Sequence, residues 1–235
     1  MPASFLRKRL ARGAPLGLGL TLAFALVVAC VAGFAWVLGA VTDARGLALL
    51  DSRAHAALVG LFGRSANVGL AVTWFGNNAT IVTGVVVVSA ALLLARRGDL
   101  ALRLILASGG GGIVIRSLKA LFSRERPLDK LVPAEGYSFP SGHAFASTVF
   151  YAMAVYLVWR LTENAAARAA AAVLGPLLFL VVGLSRVYLN VHYLTDVVAG
   201  WLGGIAWVTL VLAVVHVWET RRGRPLARWG ATPEP

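Results

Sequence analysis

Residues 13–42 read GAPLGLGLTLAFALVVACVAGFAWVLGAVT and contain no charged side chain. About 20 apolar residues suffice to cross the hydrocarbon core of a bilayer, so this stretch is long enough to span it. It is also too long for the apolar core of a signal peptide. It follows a basic flank that consists of Arg7, Lys8, Arg9 and Arg12. The sequence therefore predicts an uncleaved first transmembrane helix over residues 16–41.

The composition of the whole chain agrees with this first segment. Of its 235 residues, 59% are hydrophobic and only 14% are charged, which is far more apolar than a soluble domain of this size. The predicted fold class is an all-α integral membrane bundle of six transmembrane helices, forming a single membrane domain over residues 1–235. The predicted spans lie at about 16–41, 76–95, 100–120, 143–160, 166–187 and 192–217.

Two of these predictions concern the regions between and within the spans. Residues 42–75 are expected to form an outer loop, in which Leu58, Val59, Leu61 and Phe62 lie along the membrane interface. In the third span, Arg103 and Arg116 are close enough to the ends for their side chains to extend toward the headgroups. Gly109 to Gly112 lie in the middle of that span, where they allow a neighbouring helix to approach closely.

The distribution of charge predicts the orientation of the bundle. Six spans place both termini on one side, and with that side cytoplasmic, 13 of the 22 basic and 4 of the 10 acidic residues lie inside. The inside is then net +9 and the outside net +3, as the positive-inside rule favours. We expect an inner (plasma) membrane protein with cytoplasmic termini. The overall charge of +12 reflects this pattern and does not indicate nucleic-acid binding.

Three clusters of polar residues fall at predicted outer ends of the spans. Arginine offers a planar fork that matches phosphate oxygens, and lysine offers a point charge. The first cluster lies in the connection before the fourth span and contains four cations, Lys119, Arg124, Arg126 and Lys130. In the structural alternative, these cations bind no ligand and are neutralised by Glu125, Asp129 and Glu135.

The second cluster is Pro140-Ser141-Gly142-His143, at the start of the fourth span. Ser141 is a good N-cap, Gly142 lets the backbone approach a ligand, and a helix N-terminus attracts anions. A plain helix start, with His143 facing the headgroups, is the alternative.

The third cluster combines Arg186 with His192 and Asp196. The latter two are four residues apart and share one helix face if the helix has begun at residue 192. Asp196 can then accept a hydrogen bond from one imidazole nitrogen and leave the other as a nucleophile. In the alternative, Arg186 pairs with Asp196 and His192 is incidental.

The spacing of the three clusters resembles the three-part signature of the type 2 phosphatidic acid phosphatase family. The resemblance spans residues 119–196, and every signature position matches. The matching positions are Lys119, six residues, Arg126-Pro127; Pro140-Ser141-Gly142-His143; and Ser185-Arg186, five residues, His192, three residues, Asp196.

The resemblance implies a site that needs no metal or other cofactor. The signature contains a single carboxylate, too few for a two-metal clamp. In the family, His192 would attack phosphorus to form a phosphohistidine, Asp196 would orient it, and His143 would protonate the leaving oxygen. The residues implied to hold the phosphate oxygens are Lys119, Arg126, Ser141, Gly142 and Arg186.

The expected function is hydrolysis of the phosphomonoester or pyrophosphate of a membrane lipid. In a bacterium the candidates are phosphatidic acid, phosphatidylglycerol phosphate and undecaprenyl pyrophosphate. One alternative is a non-enzymatic lipid-phosphate binding or transport protein, which would need neither histidine. Another is an enzyme similar to the vanadium haloperoxidases, in which vanadate replaces phosphate, although members of that group are soluble.

Overall fold

The computed structural model of the protein describes residues 17–42 and 47–222. This part of the chain contains eight α-helices and no strand. The basic flank before residue 13 and the basic tail after residue 222 lie outside the described residues. The helices are α1 Leu18–Thr42, α2 Ala48–Phe62, α3 Ala66–Thr73, α4 Asn78–Leu94, α5 Gly98–Phe122, α6 Gly142–Leu161, α7 Ala165–Tyr188 and α8 Leu194–Arg221, and a 3-10 turn Trp74–Gly76 joins α3 to α4.

Within residues 17–42 and 47–222, six helical segments are long and apolar enough to cross a membrane, which confirms the predicted all-α fold. Five of them agree with the predicted boundaries to within four residues. The second span differs, because α3, the 3-10 turn and α4 form one segment over Ala66–Leu94 instead of beginning at residue 76. The prediction of an outer loop up to residue 75 is therefore wrong.

Two glycines explain why this span begins early. A Cβ atom at Gly69 would lie 2.5 Å from the Leu189 side chain, and one at Gly76 would lie 2.2 Å from Val182. Without side chains at these positions, α3 and the turn pack directly against the C-terminal half of α7. The predicted start near Asn77 is nevertheless the start of a helix. The Asn77 side chain accepts a hydrogen bond from Thr80 N at 2.7 Å and caps α4.

Helix α2 occupies the rest of the predicted loop. Leu58 and Val59 pack against a buried group that contains Tyr188, whereas Leu61 and Phe62 are exposed. The predicted interfacial stretch is thus a helix with one face on the protein and the other outward.

Helix α8 is the centre of the bundle and packs against α1 and α6. A Cβ atom at Gly200 would lie 2.7 Å from the Ser141 carbonyl oxygen, so glycine is needed for the close approach of α6. On another face of α8, the Trp207 ring fills the space over Gly110 and Gly111 of α5. The glycine run is therefore a packing surface, as expected, but only two of its four members contribute to this contact.

The prediction that the Arg103 side chain extends toward the headgroups is wrong. Its side chain is buried, and its Nη2 lies 2.6 Å from both carboxylate oxygens of Glu219 on α8, while its Nη1 donates to the Tyr156 hydroxyl on α6. A guanidinium that is removed from water requires a paired carboxylate, and Glu219 supplies it. Arg116, by contrast, is exposed.

Candidate active site

The three clusters meet at one end of the bundle, because each lies where a helix begins or ends. Lys119 is in the last turn of α5, His143 is in the first turn of α6, and Arg186 is in the last turn of α7. His192 and Asp196 lie at the entry to α8. Residues from four helices thus form one site at the edge of the apolar layer.

His192 is held by Asp196 through one ring nitrogen. Helix α8 begins at Leu194, so the condition that it has begun at residue 192 is not met, yet His192 Nδ1 lies 3.3 Å from Asp196 Oδ2. The contact forms because the Asp196 carboxylate folds back over the first turn, where it also accepts from Tyr193 N at 3.0 Å. This arrangement fixes Nδ1 as the protonated nitrogen and leaves a lone pair on Nε2.

Arg126 faces that lone pair and is itself fixed by the backbone. Its Nη1 lies 3.1 Å from His192 Nε2 and 2.7 Å from the Val191 carbonyl oxygen. Its other nitrogens donate to carbonyl oxygens of residues 135–137. Lys119 Nζ donates to the carbonyl oxygens of Tyr137, at 2.6 Å, and of Ser138. One short loop therefore holds two cations beside His192.

Arg186 supplies the third cation. Its side chain is about nine-tenths buried, and its Nη1 donates to Thr73 Oγ1 at 2.8 Å. The Nε atom is buried and has no hydrogen-bond partner in the part of the chain that the structure describes. A phosphate oxygen is the kind of acceptor that such a donor requires. The alternative pairing of Arg186 with Asp196 does not form, since Asp196 pairs with Arg124 at 2.5 Å.

The second cluster is placed against the other two. Ser141 caps α6 by accepting from Ala144 N at 3.4 Å, and its own N–H donates to the Asp196 carbonyl oxygen at 2.9 Å. A Cβ atom at residue 142 would lie 3.6 Å from Lys119 Cε. His143 lies within electrostatic range of His192 and of all three cations. The signature residues therefore surround one volume.

Four residues of the site were not assigned a role from the sequence. Arg124 was grouped with the other cations, and the carboxylates it pairs with are Asp196 and Asp51 instead of Glu125, Asp129 or Glu135. Ser138 donates to Asp196, and Thr73 accepts from Arg186. A usable signal exists for Asp51, because it and His55 are polar residues four apart on a largely apolar helix.

Burial determines the protonation of the free His192. It lowers the pKa of His192 to about 4, and Arg126 and Lys119 act in the same direction, while Asp196 opposes them. The ring is therefore neutral at neutral and mildly acidic pH. Between pH 4 and 6.5, His192 binds more protons in the unfolded chain than in the folded one. His192 therefore makes the free energy of unfolding rise with pH in that window. Below pH 4, it leaves the free energy of unfolding lowered.

We expect the His192 resonance of the ¹⁵N-histidine-labelled protein in detergent to remain that of a neutral ring down to about pH 5, since burial opposes protonation. Nuclear magnetic resonance titration measures this directly, and the spectrum of His192→Gln assigns the signal. A His192 signal that titrates near pH 6.5 would contradict the prediction. A direct titration is preferable to a rate profile because phosphomonoesters ionise near pH 6.

A buried imidazole whose unprotonated Nε2 faces Arg126, with Lys119 and Arg186 nearby at a membrane edge, is suited to phosphoryl transfer on a lipid. Residues 100–220 match the PAP2 superfamily. The chain is 30% identical over 142 residues to phosphatidylglycerophosphatase B of Bacillus subtilis (strain 168), covering 60% of this chain and 70% of that protein. The crystal structure of a transmembrane PAP2-type phosphatidylglycerolphosphate phosphatase from Bacillus subtilis matches with a TM-score of 0.71 and 26% identity, over 80% of this chain and 94% of that one.

The chain belongs to the PAP2 superfamily. It is a multi-pass membrane protein of the PAP2-type lipid phosphatase class, and the expectation that it is a phosphatase is confirmed.

Proposed function

We propose that the protein hydrolyses the phosphomonoester of a phospholipid through a phosphohistidine on His192, with phosphatidylglycerol phosphate as the preferred substrate. The observation that carries the proposal is the buried His192 ring, with Nδ1 directed at Asp196 and Nε2 at Arg126. Both similar proteins are phosphatases of phosphatidylglycerol phosphate, which supports the choice of substrate. Phosphatidic acid, which carries the same phosphomonoester, and undecaprenyl pyrophosphate, which carries its terminal phosphoryl group on an anhydride oxygen, are the next candidates.

In the first step, the Nε2 lone pair of His192 attacks phosphorus, so that a P–N bond forms and the bond to the ester oxygen breaks. The leaving oxygen takes a proton from His143 and departs as the lipid alcohol. Asp196 accepts a hydrogen bond from His192 Nδ1–H and stabilises the positive charge that develops on the ring. Lys119, Arg126 and Arg186 neutralise the charge on the three phosphoryl oxygens.

In the second step, water attacks phosphorus from the side opposite the P–N bond. His143 now takes a proton from the water, the P–N bond breaks, and inorganic phosphate leaves while both histidines return to their starting states. The carboxylates near the site do not act as metal ligands in this scheme, because Asp196 and Asp51 are bonded to Arg124 and Thr195.

Phosphate release by the full chain in detergent with EDTA tests this function. Phosphatidylglycerol phosphate, phosphatidic acid and undecaprenyl pyrophosphate are offered side by side, and acid-labile phosphate on His192 is sought by mass spectrometry after a rapid alkaline quench. We expect release without a divalent metal, fastest with phosphatidylglycerol phosphate, and a phosphorylated His192. Activity that EDTA abolishes would overturn the metal-free mechanism, and a faster rate with another lipid would overturn the substrate choice.

We also propose that the site faces the outer side of the cytoplasmic membrane, as the positive-inside rule favours. Two exposed glutamates report on the two sides, Glu135 beside the site and Glu163 between α6 and α7. In a Cys30→Ala background, an impermeant thiol reagent should label Glu135→Cys in intact cells and label Glu163→Cys only after the cells are opened. The reverse pattern would overturn the orientation.

A further inference from the structure

Asp51 is a buried carboxylate that lies outside the three signature clusters. It is on α2, and its Oδ1 accepts from Thr195 N and its Oδ2 from Thr195 Oγ1, both at 2.9 Å. A charge removed from water in this way requires a cation beside it. Arg124 is that cation, with its Nη2 3.3 Å from Asp51 Oδ2.

The other end of the Arg124 guanidinium holds Asp196. Its Nη1 lies 2.5 Å from Asp196 Oδ1 and 2.8 Å from Thr195 Oγ1, and the guanidinium carbon is 4.0 Å from the centre of the Tyr193 ring. Arg124 therefore bridges two carboxylates of fixed position, and the ring prevents it from rotating away. The four charged or titratable groups form a chain in the order Asp51, Arg124, Asp196 and His192.

The division of bonds on Asp196 shows what the chain does. Arg124 occupies Oδ1, which leaves Oδ2 for His192 Nδ1, Tyr193 N and the Ser138 hydroxyl. Asp196 is fully buried, so without a cation its negative charge would be uncompensated. It would then either take up a proton or draw one to His192, and both results remove the neutral, correctly oriented nucleophile.

We propose that Asp51 and Arg124 are positioning residues for the phosphatase reaction, in which Asp51 fixes Arg124 and Arg124 fixes the ionised Asp196 carboxylate against His192. The inference rests on the proposed function, because it assigns His192 as the nucleophile. It extends the site beyond residues 119–196 to helix α2. Helix α2 thereby becomes part of the catalytic architecture as well as a surface element.

Kinetic measurements on Asp51→Asn, Arg124→Gln and the double variant test the positioning roles of Asp51 and Arg124. Asparagine at position 51 keeps an acceptor for Thr195 but removes the charge that holds Arg124. Partners that orient a reacting group typically contribute about 10- to 100-fold. We expect kcat to fall about 10-fold in Asp51→Asn and about 100-fold in Arg124→Gln, with KM changed less than about 2-fold. Because Asp51 acts through Arg124, adding Asp51→Asn to Arg124→Gln should change kcat by less than about 2-fold.

A pH profile separates positioning from a loss of fold. His192 also faces Arg126, Lys119 and His143, and these are unchanged in the variants. Removal of the Arg124 charge should therefore move the acidic limb of kcat/KM to higher pH, and Arg124→Lys should restore part of both the rate and the limb. A general loss of structure would lower the rate without this shift. Thermal unfolding of each variant is measured alongside.

Matched controls come from the same outer loop. Lys130→Gln and Asp129→Asn make the same charge changes at exposed positions that are not bonded to Asp51, Arg124, Asp196 or His192. Both should keep kcat within about 2-fold of the parent. Wild-type kcat in Asp51→Asn and Arg124→Gln, or multiplicative effects in the double variant, would overturn the inference. Failure of the proposed function is recognised separately, as substantial activity in His192→Ala.

Discussion

Replacement of His192 by alanine should lower kcat by at least about 10⁴-fold, the largest effect we expect for any single substitution. Alanine cannot form the P–N bond on which the proposed mechanism depends. The three cations and the helix N-terminus remain, so a small residual rate from electrostatic stabilisation is expected. Binding of the lipid should change little, since the imidazole carries none of the positive charge that holds the phosphate.

The measurement is phosphate release together with binding of a short-chain lipid phosphate by isothermal calorimetry. His216→Ala serves as the control, because it removes a histidine from the opposite end of α8. That control should retain the parent rate. Full activity in His192→Ala would show that another group attacks phosphorus, and loss of both rate and binding would point to a collapsed site.

Replacement of Asp196 by asparagine should lower kcat by about 10⁴-fold with little change in size or shape. The asparagine amide is neutral, so the ion pair with Arg124 is lost. If its NH₂ group faces His192, Nδ1 must accept a hydrogen bond instead of donating one. The ring then places its proton on Nε2, the atom that attacks phosphorus in the proposed mechanism. The loss comes from the wrong tautomer and the lost charge, since the carboxylate itself does not touch the substrate.

¹⁵N spectra of the histidine ring distinguish the two tautomers and should show protonation moving from Nδ1 to Nε2 in this variant. Asp99→Asn, an exposed carboxylate in the first turn of α5 at the far end of the bundle, is the matched control. A retained Nδ1–H tautomer combined with a large loss of rate would refute the orienting role of Asp196 and leave only its charge.

Much of the fold could be predicted from the sequence because lipid imposes a simple rule. Backbone groups in the apolar layer must be bonded within a helix, so uncharged runs predict spans well. The signature residues could be identified for two reasons. Charged and titratable groups at the ends of apolar runs are expensive to place, and their order and spacing resemble the signature of a known family.

The rest depends on contacts that no local pattern reveals. Asp51 and Thr195 are bonded across 144 positions of sequence. Asp51 and His55 lie four apart on one helix, but nothing in the sequence shows that Thr195 and Arg124 hold this carboxylate in the interior while Asp129 and Glu135 stay exposed. The early start of the second span depends on which side chain faces Gly69, and the burial of Arg103 depends on Glu219 from another helix. In each case the deciding partner is supplied by tertiary packing.

The position of the site at the ends of helices α5 to α8 also determines where the two products go. The dephosphorylated lipid remains in the two-dimensional bilayer, whereas inorganic phosphate passes into a large aqueous volume and is diluted at once. The reverse reaction requires both to return to one point from two different phases. Hydrolysis of a phosphate ester is already favourable in water, and the separation of the two products into different phases makes their recombination slower still.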